Sequence, residues 1–214
     1  MKKFLRLLLI CSSCVLLLGS CSPVKKGFTR HSNPGFKFTP VFEEVFEKAL
    51  YEFEISYGSR NISGVAIIKK MEENRTFRTV FMSETGLKYF DFGYFQNDST
   101  VVHYMMDAMD RKKIIRTLTT DLWLILKRNP DPKLLTYFSS ENPSDGLMIK
   151  EKQKGRNYFF SEDHGNQPSK ICHRASFSPS TNIEINYNPE RIPSKIVFMH
   201  GIINFKMELK LITE

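Results

Sequence analysis

Ile203-Asn204-Phe205-Lys206-Met207-Glu208-Leu209-Lys210-Leu211 alternates apolar and polar residues without a break. Successive side chains of an extended chain point to opposite faces, so this period of two marks a strand that covers a core on one side and meets water on the other. The same alternation recurs upstream. Tyr51, Phe53, Ile55 and Tyr57 are interleaved with Glu52, Glu54 and Ser56, and turn residues then separate further runs at 62–69, 75–83, 87–92 and 100–105. Thr85-Gly86 closes one of the hairpins. After a gap the pattern resumes at 147–152, 157–161, 171–177, 182–187, 195–199 and 202–212. These runs predict about eleven antiparallel strands, and an open sheet of that size has to curl, split or flatten.

One stretch breaks the period. Across 107–127, Ile114, Ile115, Leu118, Leu122, Ile125 and Leu126 follow helical spacing, which predicts a helix inserted after the fifth strand. Asp107 is the expected cap, because with Asp110 it offsets Arg111, Lys112 and Lys113 at a helix start where positive charge is unfavourable. Asn129-Pro130 ends the helix. Its last turn, Leu122-Trp123-Leu124-Ile125-Leu126, is apolar on every side and must be enclosed by protein or by lipid. A second, short helix is predicted over 41–49, where Thr39-Pro40 fits a cap followed by Pro and Val41, Phe42, Val45, Phe46 and Ala49 recur at helical spacing.

The chain begins with a basic segment, Met1 to Arg6, followed by an apolar run from Leu7 to Leu18 and then Gly19-Ser20-Cys21. This reads as a lipoprotein signal peptide over 1–21. Cys21 would become the first residue and carry the acyl groups that hold the protein on a membrane; two or more chains anchor stably where one is marginal. The apolar run is short for a membrane span of about 20 residues. Residues 22–38, with Pro23, Gly27, Pro34 and Gly35 and no periodicity, read as a flexible tether, and 39–214 as one β domain.

With Lys2, Lys3 and Arg6 taken from the 31 basic residues, 28 face 23 acidic ones, a formal charge of +5. The cations are scattered, which argues against nucleic acid and for weak attraction to anionic headgroups. Of the four cysteines, Cys11 and Cys14 fall in the leader and Cys21 is acylated, so Cys172 is the one remaining thiol and no internal disulfide forms. His31, His103, His164, His173 and His200 lie far apart, without metal-ligand spacing. Asp163-His164 and Cys172-His173 hold residues fit for a base and a nucleophile, but no elbow or comparable motif accompanies them. Neither cofactor nor metal is expected, and no enzyme.

Ile62-Ser63-Gly64-Val65-Ala66-Ile67-Ile68-Lys69-Lys70, the hairpin from Arg78 to Phe92, Leu118-Thr119-Thr120-Asp121-Leu122-Trp123 and the ending Ile192-Pro193-Ser194-Lys195-Ile196 resemble a family of small Gram-negative lipoproteins with a LolA/LolB-like domain. The resemblance covers most of 40–214, and its motifs are structural. It implies a mainly β fold with α: a strongly curved antiparallel half-barrel whose open side is covered by helices. In better-known members the interior holds acyl chains of lipoproteins bound for the outer membrane. LolB-type receptors carry a protruding loop with an exposed apolar residue. The matching turn here is Ser83-Glu84-Thr85-Gly86, with Leu87 just inside the next strand, so the insertion device looks absent. A lipocalin is the alternative fold, although its main helix lies near the chain end.

The resulting expectation is an outer-membrane lipoprotein facing the periplasm that binds lipid or lipoprotein acyl chains, with a soluble periplasmic carrier as donor. Tyr51, Phe53, Ile55, Phe90, Phe92, Ile183, Ile185, Phe205, Met207 and Leu209 are the candidate cavity lining, and Leu122, Trp123 and Leu126 its mouth. The alternative is a non-catalytic accessory or scaffold lipoprotein in which the same residues form a solid core, because composition does not separate a filled interior from a ligand-filled one.

Overall fold

The computed structural model describes residues 27–31, 38–71, 76–95, 99–127, 130–140, 146–153, 155–162, 167–175, 180–201 and 204–213. The leader, Cys21 and Asp163-His164 lie outside them. Among the described residues, thirteen strands form one antiparallel sheet around a single α-helix. They are β1 (Phe28–His31), β2 (Lys48–Tyr57), β3 (Arg60–Met71), β4 (Thr76–Met82), β5 (Lys88–Tyr94), β6 (Thr100–Met105), β7 (Leu135–Ser140), β8 (Leu147–Glu151), β9 (Arg156–Ser161), β10 (Lys170–Arg174), β11 (Thr181–Tyr187), β12 (Pro193–His200) and β13 (Phe205–Leu211). Helix α1 (Lys112–Leu126) lies between β6 and β7.

The order is β1-β7-β8-β9-β10-β11-β12-β13-β2-β3-β4-β5-β6. Two meanders are thus joined by one long-range pairing, β13 with β2, in which Leu209 sits opposite Phe53 and Met207 opposite Ile55. That register follows from the opening alternation, since a slip of one residue would turn one of the two apolar rows into water. The sheet stays open, with β1 and β6 at its edges. It is nevertheless bent around α1. Residues of the helix and its C-cap bond to β8, β11 and β12, and its first turns share a cleft with β2, β3 and β13. Fifteen residues of helix measure about 22 Å; a flat sheet would spread β8 to β3 over about 34 Å.

Thirteen strands replace the expected eleven. β1 falls inside the segment expected as a tether and pairs with β7, Phe28 opposite Ser140. β7 falls in the gap between the two runs of expected strands; its Leu-Thr-Tyr-Phe-Ser-Ser has only partly buried positions apart from Phe138. The helix expected over 41–49 is not formed. Residues 41–47 make bends and a single turn, Phe46 N–H donating to the Glu43 carbonyl, and Lys48 and Ala49 already belong to β2. The helical spacing there has a different cause: Val41, Phe42 and Phe46 are inserted one by one into the core, where Phe42 and Phe46 meet Phe77, while Val45 is 85% exposed.

The helix start is also corrected. Asp107 opens a 3-10 turn, Asp107–Met109, and α1 begins five residues later with Arg111 as an N-cap that makes no side-chain capping bond. Leu87 lies in the turn before β5, not inside the strand, and is 57% exposed. Gly64 is required where it stands. Its φ is +155°, and a Cβ there would come 2.1 Å from the Met82 carbonyl oxygen of β4.

Candidate functional site

The concave side of the sheet is occupied by side chains. Tyr51, Phe53, Ile55, Phe90, Phe92, Ile183, Ile185, Phe205, Met207 and Leu209, expected to line a cavity, all belong to one buried cluster. Phe81 stacks on Phe90 at 4.2 Å and Phe90 on Phe92 at 5.1 Å. Leu122, Trp123 and Leu126 do not form a mouth. They are buried with the rest of the last two turns of α1, because this end of the helix is sunk into the sheet and capped by a polar row.

That row is the main feature that sequence reasoning missed. Glu151 of β8, Asn157 of β9, His173 of β10, Thr181 of β11 and His200 of β12 stand opposite one another in register across five strands. Each has the parity of an apolar inner-face neighbour: Ile149, Phe159, Ile171, Ile183 and Phe198. Buried polar groups need partners, and α1 supplies them at both ends. Asp121 accepts from His200 Nε2 at 2.8 Å and from the Thr181 hydroxyl at 3.4 Å. Lys127, at the C-cap, pairs with Glu151 at 2.7 Å, donates to the Gln153 side-chain oxygen and lies 4.4 Å from the Trp123 ring. Between them the Asn157 amide donates to Glu151 at 2.9 Å, and its oxygen accepts from His173 Nδ1 at 2.7 Å.

Burial raises the Asp121 carboxyl above its usual range although His200 and Thr181 pull the other way. Burial lowers His173, with nearby His200 adding to the effect, and pushes the Cys172 thiol up. Thr181, His200 and Asp121 have the residue types of a nucleophile, base and orienting acid, Thr181 Oγ1 standing 3.3 Å from His200 Nδ1. The Thr181 hydroxyl is buried, and it bonds Asp121 directly. Asp121 on the helix thus holds Thr181 of β11 and His200 of β12, and the arrangement works as a latch between helix and sheet. Among the described residues no group of three or more His, Cys, Asp or Glu is arranged to hold a metal.

The latch has a pH signature. The folded state favours neutral His173, so its contribution to stability is full above the ordinary histidine pKa of about 6.5 and is lost as pH falls below it. Chemical denaturation at pH 7.5 and 5.0 should show the wild type losing more stability on acidification than His173→Gln, whose amide can still donate to Asn157. Equal losses in the two proteins would mean that His173 is not the group responsible.

The opening lies at the other end of α1. Residues 112–117 are exposed or only partly buried, in contrast to the sunken second half of the helix. Beneath them lies a cleft lined by Ile55 and Tyr57 of β2, Arg60 and Ile62 of β3, Phe205 of β13, Ala108 and Met109 of the 3-10 turn, and Arg111, Lys113, Ile114 and Thr117. Its cavity volume is about 90 Å³. A dry cavity of about 150 Å³ admits benzene, so this one takes a few methylenes and no more while the helix stays as it is. Phe205 forms part of its wall and meets the His200 ring edge-on at 4.9 Å, so cleft and latch share a boundary. Of the expected cavity residues, Ile55 and Phe205 line it; the others lie in the filled core or the sunken turns.

No protein-family model matches the chain, and no curated protein matches it.

Proposed function

We propose that this chain is an outer-membrane lipoprotein, anchored through acyl groups on Cys21 and facing the periplasm, that binds acyl chains of lipids or lipoproteins on a LolA/LolB-like half-barrel without covalent chemistry. The observation that carries the reading is the apolar cleft between the start of α1 and strands β2, β3 and β13. A chain end enters there, in contact with Ile55, Ile62 and Ile114, and deepens its contact as the first half of α1 lifts. The second half stays latched through Asp121 and Lys127. Apolar area removed from water contributes about 25 cal/mol per Å², so a cleft this small gives weak, reversible holding, as suits transfer.

Mass spectrometry of the protein purified from native membranes tests this directly. The expected result is a diacylglyceryl group on Cys21 together with a co-purifying acyl-bearing molecule that Ile114→Asp loses. A fully lipidated protein that carries no such molecule would overturn the binding role. It would favour the second reading, an accessory lipoprotein with a solid core that docks other envelope proteins. The filled concave side supports that alternative, as do Val101, Val102 and Tyr104, each about 40% exposed on the open edge strand β6.

A further inference from the structure

The cleft is apolar at its floor and cationic at its rim. Ile55 and Phe205 are 3% and 7% exposed, whereas Arg60, Arg111 and Lys113 stand exposed around the opening. No salt bridge or side-chain hydrogen bond joins any of the three to another described residue. Lys112 and Arg116 add two more exposed cations on the same helical turns. The acids nearest in sequence, Asp107 at the start of the preceding 3-10 turn and Asp110 at its C-cap, are exposed and leave the region with a surplus of positive charge. Helix α1 makes this worse for itself, because its first turn contains no acidic residue and its N-cap makes no capping bond. Positive charge at a helix N-terminus opposes the macrodipole. An anion placed there would relieve both effects.

We propose that the cleft selects a single-chain anionic amphiphile of the fatty-acid class, its hydrocarbon on Ile55, Ile62, Ile114 and Phe205 and its carboxylate among Arg60, Arg111 and Lys113. This specificity rests on the acyl-binding reading above and narrows it. The recessed floor favours a molecule that inserts over a bilayer surface that merely touches, since a surface contact would present its apolar atoms outward. The charge-assisted contact of a guanidinium with a carboxylate is among the stronger polar contacts available at an opening of this kind.

The test uses the full chain in phosphatidylcholine nanodiscs, with a long-chain fatty acid bearing a terminal diazirine, the matched fatty alcohol, and a diazirine-tailed phosphatidylcholine in separate arms. Crosslinked peptides are mapped after irradiation. The expected result is labelling of peptides that contain Ile62 or Ile114 by the acid, about three- to fivefold above the alcohol, the upper end of what an exposed ion pair supplies. Arg60→Gln and Arg111→Gln should each reduce the acid's labelling towards the alcohol's and leave the alcohol's unchanged. Equal labelling by acid and alcohol would overturn the charge selection while leaving acyl binding intact. Absence of cleft labelling by every probe would overturn both. Labelling by the phospholipid above that by the free acid would make the cleft a bilayer contact and end the proposal.

Discussion

Lys127→Met is expected to destabilise the protein by about 3–5 kcal/mol, the loss typical when one partner of a buried ion pair is removed and the other stays behind. Lys127 and Glu151 have side-chain exposures of 1% and 0%, so water does not reach the stranded carboxylate. Asn157 still donates to it at 2.9 Å, but a neutral amide does not offset a buried negative charge. Met keeps the length and apolar contacts of the Lys stem over Trp123, which confines the change to the charge. Urea unfolding of the single variant, of Glu151→Leu and of the pair separates the terms. The double variant should recover most of the loss, because a buried ion pair replaced as a unit by apolar groups is often close to neutral. A Lys127→Met variant within about 0.5 kcal/mol of the wild type, the range of surface substitutions, would show that Lys127 reaches solvent and that the helix end is held by packing alone.

The strands that sequence made plain were those whose alternation is long and whose outer face is charged. β2 and β13 pair along seven positions with Glu and Lys on one face and rings and branched chains on the other, and nothing but a half-buried strand fits them. β1 and β7 were illegible for the opposite reason. Four and six residues of mixed character carry no period of their own, and they become strands only because the curl of the sheet leaves an edge for them to extend. The polar row was legible in pieces. Asn157, His173, Thr181 and His200 each place a polar group on the apolar parity of a strand, and Asp121 does the same on the buried side of α1. Reading histidines by their separation along the chain hides this, because what brings His173 and His200 together is register through Thr181. The cleft was half legible: Ile55 and Phe205 were among the candidates, while Met109, Ile114 and the cationic rim were not, since their position depends on where α1 begins.

Trp123→Ala is expected to cost about 3–5 kcal/mol, in the range for truncating a large buried aromatic residue, and to leave acyl labelling at the cleft unchanged in protein that is still folded. From sequence Leu122, Trp123 and Leu126 read as the mouth of a cavity, and removal of the indole would then lower binding. The structure reverses that assignment. Trp123 is 3% exposed, belongs to the same buried cluster as Phe92 and Leu209, and accepts the cation of Lys127 against its face. Its loss therefore opens a void beside the Lys127–Glu151 pair and removes a cation–π contact, which desolvated pairs of this kind make worth up to about 2 kcal/mol. The first half of α1, with Ile114 and Thr117 at the cleft, is two turns away and bound by neither end of the latch. Thermal unfolding followed by labelling below the transition distinguishes the two roles. A lowered midpoint with intact labelling places the working surface at the start of the helix, whereas an unchanged midpoint with lost labelling would return it to the end.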